Sequence, residues 1–318
     1  MRSAVQQTRN ICVGVTDNKW FSFLAQEKDV DEVNFWRPSS KAGLRGLQPG
    51  DLFLFRLHQP EGKIAGGGYF VKYLPMPIGY AWTAYGRKNG AESLQALRDS
   101  IARFRDDAAQ QAGNYTIGCI LLASPFFFDR RDWFTPPGWQ SGIRSVKYYS
   151  VNEPDGRLLE EMVRDRIIGA QLDEVIAARE RPEDTRMVLV KARPGQGYFS
   201  SAVADAYKWR CAVTGERVWP TLDAAHILPV SEKGPNIVQN GLLLRSDVHR
   251  LFDAGYATVT TDLSFVVSNR VREEFDNGRE YLAMAGRTLL RPTSEIEWPD
   301  RGFVAWHNDM YKRKGGVM

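Results

Sequence analysis

Four histidines occur among 318 residues, and two of them, His226 and His249, bracket Asn240 within residues 211–255, CAVTGERVWPTLDAAHILPVSEKGPNIVQNGLLLRSDVHRLFDAG. Neutral imidazole is the side chain whose unperturbed pKa suits removal of a proton from water near neutral pH. His249 and Asp253 stand four apart, a spacing that puts both on one face of a helix, where they can ligate a single divalent cation. A base beside such a cation suits phosphodiester hydrolysis. The water needs a proton acceptor, and the charge that gathers on phosphorus and the leaving 3′ oxygen needs a Lewis acid.

The surrounding residues read as the elements this chemistry requires. Residues 220–229 form a short strand carrying His226, and 229–240 a polar connection with Gly234 and Pro235. Residues 241–244 form a second short strand, and 245–252 a helix stopped at Gly255. Asn240 is neither acid nor base at working pH, so its amide is expected to clamp the connection and keep His226 oriented.

This ordered set resembles the HNH family of endonucleases. The resemblance covers roughly residues 193–309, with Cys-Ala-Val-Thr-Gly, Ala-Ala-His-Ile, Asn-Gly-Leu and His-Arg-Leu-Phe-Asp in sequence. It implies a ββα-metal fold, His226 as general base, and metal ligands on the helix, His249 and Asp253, with Mg2+ or Mn2+ as the cation. Many members carry an Asp or His directly before the base as a third ligand, and Ala225 stands there. Asp223, two residues earlier on the same strand face, is the expected replacement, directly or through a water. Many members also hold a structural zinc through paired Cys-x-x-Cys motifs. Cys211 is alone, with Thr214 in the partner position, so no structural zinc is expected. His58 falls in a loop, and His307 belongs to a tail recurrent in the resembling family, where a structural role is expected.

Length alone suggests two domains. The start lacks an apolar signal region and the longest apolar run, around residues 117–128, is too short and broken for a membrane span. Three scattered cysteines give no disulfide framework, consistent with a cytoplasmic protein. The net charge of +4 is unevenly spread: residues 1–152 carry +6, 153–184 carry −5 and the remainder +3. Two weakly basic blocks around an acidic bridge fit domains that meet a polyanion. The expected division is a first domain at 1–152, a helical linker at 153–192 and the nuclease domain at 193–318, with 201–209 as its opening helix. The linker's apolar stripe is expected to pack on a domain rather than to form a dimer seam.

Within the first domain, residues 11–16, 52–57, 66–73, 116–123 and 146–151 read as strands, and 80–85 and 93–104 as helices. The economical fold is an antiparallel, barrel-like α+β domain. The stretch NFWRPSSKAGLRGLQPGDLFLFRLHQPEGKIAGGGYFVKY is similar to the PUA-like superfamily (EVE, ASCH and SRA domains), with an aromatic loop, a Gly-Asp turn into a strand and a glycine-rich return. That resemblance implies a nucleotide turned out of its helix, held between flat side chains and read along its edge. Trp36, Tyr69 and Trp82 are the stacking candidates, with Tyr85, Trp133 and Trp139 behind them. Asn34, Ser39 and Ser40 are candidate edge readers, and Arg37, Lys41 and Arg45 candidate phosphate contacts. Trp and Tyr mostly serve cores, and this is the competing role for each.

Together the resemblances imply a modification-dependent restriction endonuclease acting on double-stranded DNA that carries a modified cytosine, with a place in phage defence and no membrane partner. One HNH site cuts one strand, so double-strand cleavage requires a homodimer or two successive nicks. The alternatives are a nuclease reading unmodified sequence, phosphorothioate DNA or RNA, and a nucleic-acid-binding protein whose nuclease site has decayed at Ala225.

Overall fold

A computed structural model describes residues 10–41, 43–44, 46–105, 115–177 and 195–317, the side chains of 168–177 excepted. The chain divides into two compact units between residues 193 and 194. Among the described residues no helix is long and apolar enough to cross a membrane.

The first unit contains β1 (Asn10–Thr16), α1 (Asn18–Leu24), β2 (Glu32–Arg37), β3 (Leu52–Leu57), β4 (Ile64–Pro77), α2 (Ile78–Tyr85), α3 (Leu94–Ala102), β5 (Thr116–Phe127), β6 (Val146–Ser150) and α4 (Pro154–Ala177). Its strands form one sheet in the order β2-β5-β4-β3-β1-β6. The two-residue alternation of strands sorts β1 and β3 by face. Ile11, Val13 and Leu54 join Phe134, Tyr149 and the α4 residues Leu159 and Val163 in one core. Phe53 and Phe55 point the other way and meet Trp20 and Phe35, with ring centroids 4.8 Å apart for Phe35–Phe53 and 5.1 Å for Trp20–Phe55. Two strands separate β2 from β3 in the sheet, so this ring contact requires the sheet to curl until its β2 edge approaches β3. The unit is therefore barrel-like and α+β.

Four details depart from the sequence expectations. The sheet is mixed: β1 and β3 run parallel, Ile11 opposite Leu52 through Thr16 opposite Leu57, while the remaining pairs are antiparallel. Residues 32–37, not among the expected strands, form β2, paired with β5 from Glu32–Ala123 to Arg37–Gly118. Its polar residues are buried because they find partners: Lys88 Nζ lies 3.2 Å from Glu32 Oε1, and Asn34 Nδ2 donates to Asn89 Oδ1 at 2.9 Å. The helix α1 was not expected; Asp17 caps it by accepting from Lys19 N at 2.8 Å. Finally, α4 starts the expected linker but belongs physically to the first unit, since Leu159 and Val163, one turn apart, are buried in its core. The rest of that linker, 178–192, lies outside the described residues.

The second unit contains α5 (Gln196–Ala206), β7 (Leu222–His226), β8 (Gly241–Arg245), α6 (Ser246–Ala254), β9 (Ala257–Val259), β10 (Phe265–Val267), α7 (Arg270–Phe275), α8 (Arg279–Leu282) and α9 (Arg301–Arg313). β7 and β8 pair antiparallel from Leu222–Arg245 to His226–Gly241, and both α5 and α6 pack on this hairpin. Gly255 ends α6 at φ 75°, its N–H donating to Phe252 O at 3.0 Å, a left-handed stop that glycine adopts without a Cβ clash. On α9, His307 is 2% exposed and stacks on Phe252 of α6 at 3.6 Å. Thr258 Oγ1 lies 2.8 Å from its Nδ1 and Phe252 O 3.2 Å from its Nε2. Burial pushes the His307 pKa down to about 4, so a neutral imidazole ties α9 to α6 and β9.

Candidate functional site

His226 is the last residue of β7, where the hairpin opens into its connection. Its ring lies flat on Phe199 of α5, centroids 3.7 Å apart and planes 10° from parallel. Its Nε2 is 2.9 Å from Asn236 Oδ1. Burial lowers the His226 pKa, and the neighbouring His249 adds to this, against the opposing pull of Asn236 and Asp253. The imidazole is thus neutral near pH 7, the state a proton acceptor requires.

Asn240 is fully buried and both ends of its amide are hydrogen-bonded. Oδ1 accepts from Leu228 N at 2.8 Å, while Nδ2 donates to Leu228 O at 2.9 Å and Pro235 O at 3.0 Å. These three bonds tie the start of the connection to its far end. Gly241 stands directly across the hairpin from His226. A Cβ there would collide with Val203 and stand 3.1 Å from the Phe199 ring that supports His226. The Asn-Gly pair therefore holds the loop with one residue and leaves room for the ring with the next.

On α6, His249 lies between two carboxylates. Asp253 Oδ2, one turn on, is 3.2 Å from Nε2, and Asp223 Oδ2, from β7, is 3.4 Å from Nδ1. Burial works against a charged His249, but Asp253 and Asp223 outweigh it and raise its pKa above the usual imidazole value. Among the described residues no three His, Cys, Asp or Glu side chains converge as a ready-made metal cage. An octahedral cation such as Mg2+ that keeps most of its waters needs only one or two protein donors, and ligands at about 2.1 Å in such an array are about 3 Å apart. The His249 Nε2–Asp253 Oδ2 pair has that separation and suitable donor chemistry. Asp223 is on the opposite ring nitrogen, Nδ1, from the one that meets Asp253. Ala225 is fully buried and offers no donor.

The first unit holds a cavity of about 400 Å³. Trp20, Phe35, Trp36 and Phe104 supply flat apolar walls, and Asp17, Arg37, Ser39 and Arg144 supply polar lining. Asp17 is already engaged, pairing with Arg103 at 3.0 Å as well as capping α1. Of the stacking, reading and phosphate candidates, Trp36, Arg37 and Ser39 line this cavity. Asn34 does not: it is fully buried, with Nδ2 donating to Asn89 and to Cys119 Sγ at 3.3 Å. Tyr69 lies on β4 beside Phe126 at 6.5 Å, and Trp82 on α2; neither borders the cavity. Trp133 donates its indole N–H to Phe128 O at 2.9 Å, and Trp139 lies under Arg56 at 4.3 Å. Lys41 is exposed, and Arg45 lies outside the described residues.

Sequence reasoning missed Phe199 and Asn236. Phe199 looks like any apolar residue of an opening helix, and Asn236, after Gly234 and Pro235, has the composition of an ordinary turn.

No curated protein matches the chain. Among solved structures it is similar to an ASCH protein from Zymomonas mobilis, at 12% identity and a TM-score of 0.34 over 47% of this chain and 92% of that one. It is also similar to the modification-dependent TagI restriction endonuclease, at 16% identity and a TM-score of 0.27 over 94% of this chain and 80% of that one. Residues 211–260, which carry the β7–β8 hairpin, Asn240 and the α6 pair, match the HNH endonuclease family.

Proposed function

We propose that the protein is a metal-dependent endonuclease of restriction type that cuts double-stranded DNA carrying a modified base, the second unit cutting and the first reading. One observation carries the nuclease reading: a neutral imidazole, pinned on its face by Phe199 and at one edge by Asn236, in the hairpin-helix unit that also presents the His249–Asp253 pair.

In this reading His226 takes a proton from the attacking water. Asn240 holds the connection so that the imidazole stays in place. His249 and Asp253 are the residues that would hold a divalent cation, Mg2+ or Mn2+, whose Lewis acidity would offset the charge that builds on phosphorus and the 3′ oxygen. Asp223 holds the far nitrogen of His249 and so orients it. The first unit's cavity is of a size to take a planar base, which Trp36 would stack, with Ser39 reading its edge and Arg37 meeting phosphate; modified cytosine is the substrate class proposed. Cleavage of both strands then takes two protomers or two nicks, and the cellular setting proposed is cytoplasmic defence against phage DNA. The test is nicking of supercoiled plasmid and of modified duplex by the purified chain with Mg2+ or Mn2+, beside its His226→Ala variant.

A further inference from the structure

Asn236 is not part of the ordered motif set in residues 211–255, yet it makes the one side-chain hydrogen bond to His226 among the described residues. A carboxamide oxygen only accepts, so the 2.9 Å contact to Oδ1 requires the proton on Nε2. His226 Nδ1 has no hydrogen-bond partner among the described residues and keeps its lone pair. The opposite tautomer would leave a partly buried N–H at Nδ1 without an acceptor, the costlier arrangement. Phe199, flat against the ring at 3.7 Å, limits rotation that would exchange the nitrogens.

The loop geometry extends this back to Asn240. Asn240 Nδ2 donates to the carbonyl of Pro235 at 3.0 Å, the residue immediately before Asn236. Fixing that carbonyl fixes the backbone from which the Asn236 side chain reaches His226. Asn240 thus acts on the imidazole through Asn236 as well as through Leu228.

We propose that Asn236 is a positioning residue that sets the tautomer of His226, and that Nδ1 is the atom that takes the proton from water. The second half rests on the nuclease reading. In the step, a water O–H bond breaks, its proton moves to Nδ1, and the hydroxide oxygen bonds to phosphorus as the 3′ oxygen leaves. The resulting imidazolium keeps its Nε2–H on Asn236 and later gives the Nδ1 proton to solvent.

The test is a long-range 1H–15N spectrum of the uniformly 15N-labelled full chain, without DNA or metal. It has four histidines to resolve, and the H226Q variant identifies the His226 signals. The expected result is a neutral ring protonated at Nε2 and bare at Nδ1. Asn236→Leu should turn this into a mixture of tautomers and lower kcat for Mn2+-supported nicking of supercoiled plasmid by about 10- to 100-fold, with KM unchanged. Asn236→Asp, which keeps an acceptor, should restore the single tautomer and most of kcat. Protonation at Nδ1 in the unmodified chain overturns the proposal, as does a Leu variant that keeps either the single tautomer or its kcat. A chain that never nicks DNA defeats the nuclease reading, while its spectrum still decides the role of Asn236.

Discussion

The two candidate sites use their polar groups in opposite ways. At the hairpin and α6, chemistry-bearing side chains are held by other protein groups: His226 by Phe199 and Asn236, the connection by Asn240, His249 by two carboxylates. The cavity of the first unit is instead defined by its walls, Trp20, Phe35, Trp36 and Phe104, and its best-placed carboxylate, Asp17, is already paired with Arg103. Hydrolysis needs particular atoms at fixed positions, so one lost hydrogen bond matters. Stacking needs flat surface and tolerates variation at the edge. Substitutions should therefore act sharply on rate in the second unit and gradually on preference in the first.

The sharpest break in that contrast is His226→Ala, which should lower nicking by about 10²-fold or more while DNA binding and the circular dichroism spectrum stay as they were. At α6, His249→Ala and Asp253→Ala should each raise the Mg2+ or Mn2+ needed for half-maximal rate, by more than the roughly tenfold expected of an orienting residue such as Asp223. Metal titration of all three variants ranks them; an Asp223→Ala effect equal to the other two would make it a ligand. Preference is the quantity for the first unit. Trp36→Ala, in full-length chain also carrying His226→Ala, should cost about 1–3 kcal/mol of binding to duplex with modified cytosine. Salt-sensitive binding to plain duplex should change little. A fragment ending at residue 152 is unsuitable for this, because it would remove Leu159 and Val163 from the core.

Acidity provides a finer comparison. Burial holds His226 neutral below the usual imidazole pKa, whereas His249, its two carboxylates outweighing burial, keeps a proton to higher pH. The acid limb of the rate profile should then follow His249 deprotonation, and raising the metal concentration should move that limb to lower pH. A limb that does not move with metal would assign it elsewhere. A separate effect concerns stability. His307 has a folded pKa of about 4 against an ordinary 6.5, so its contribution is present above pH 6.5 and lost as pH falls toward 4. The loss is on the order of 3 kcal/mol, read as a melting transition of the second unit that falls over this range and falls less in His307→Gln.

The same contrast explains what the chain revealed in advance. That His226 would end a strand, Asn240 would close the connection, and His249 and Asp253 would share one helical turn was legible because the spacings suit a short strand and one helical turn. The hairpin and α6 followed from apolar runs bounded by Pro220, Gly234 and Gly255. β2 was illegible because Glu32 and Asn34 look solvent-facing until Lys88 and Asn89, distant in sequence, arrive to pair with them. That one misreading put Asn34 at a base edge, when it belongs to the interior. The parallel β1–β3 pairing is a property of long-range topology that no local pattern carries. Tyr69 and Trp82 do not border the first unit's cavity, since an aromatic residue's type does not say which side of a curled sheet it meets.

The most direct test of a reader joined to a cutter is digestion of phage genomic DNAs with methylated, hydroxymethylated, glucosylated or unmodified cytosine, by the full chain and by His226→Ala, with Mg2+ or Mn2+. The account predicts metal-dependent cleavage of at least one modified genome, little of the unmodified one, and loss of cleavage in the variant. Equal cutting of modified and unmodified genomes, or a variant that cuts at the unmodified chain's rate, would contradict it.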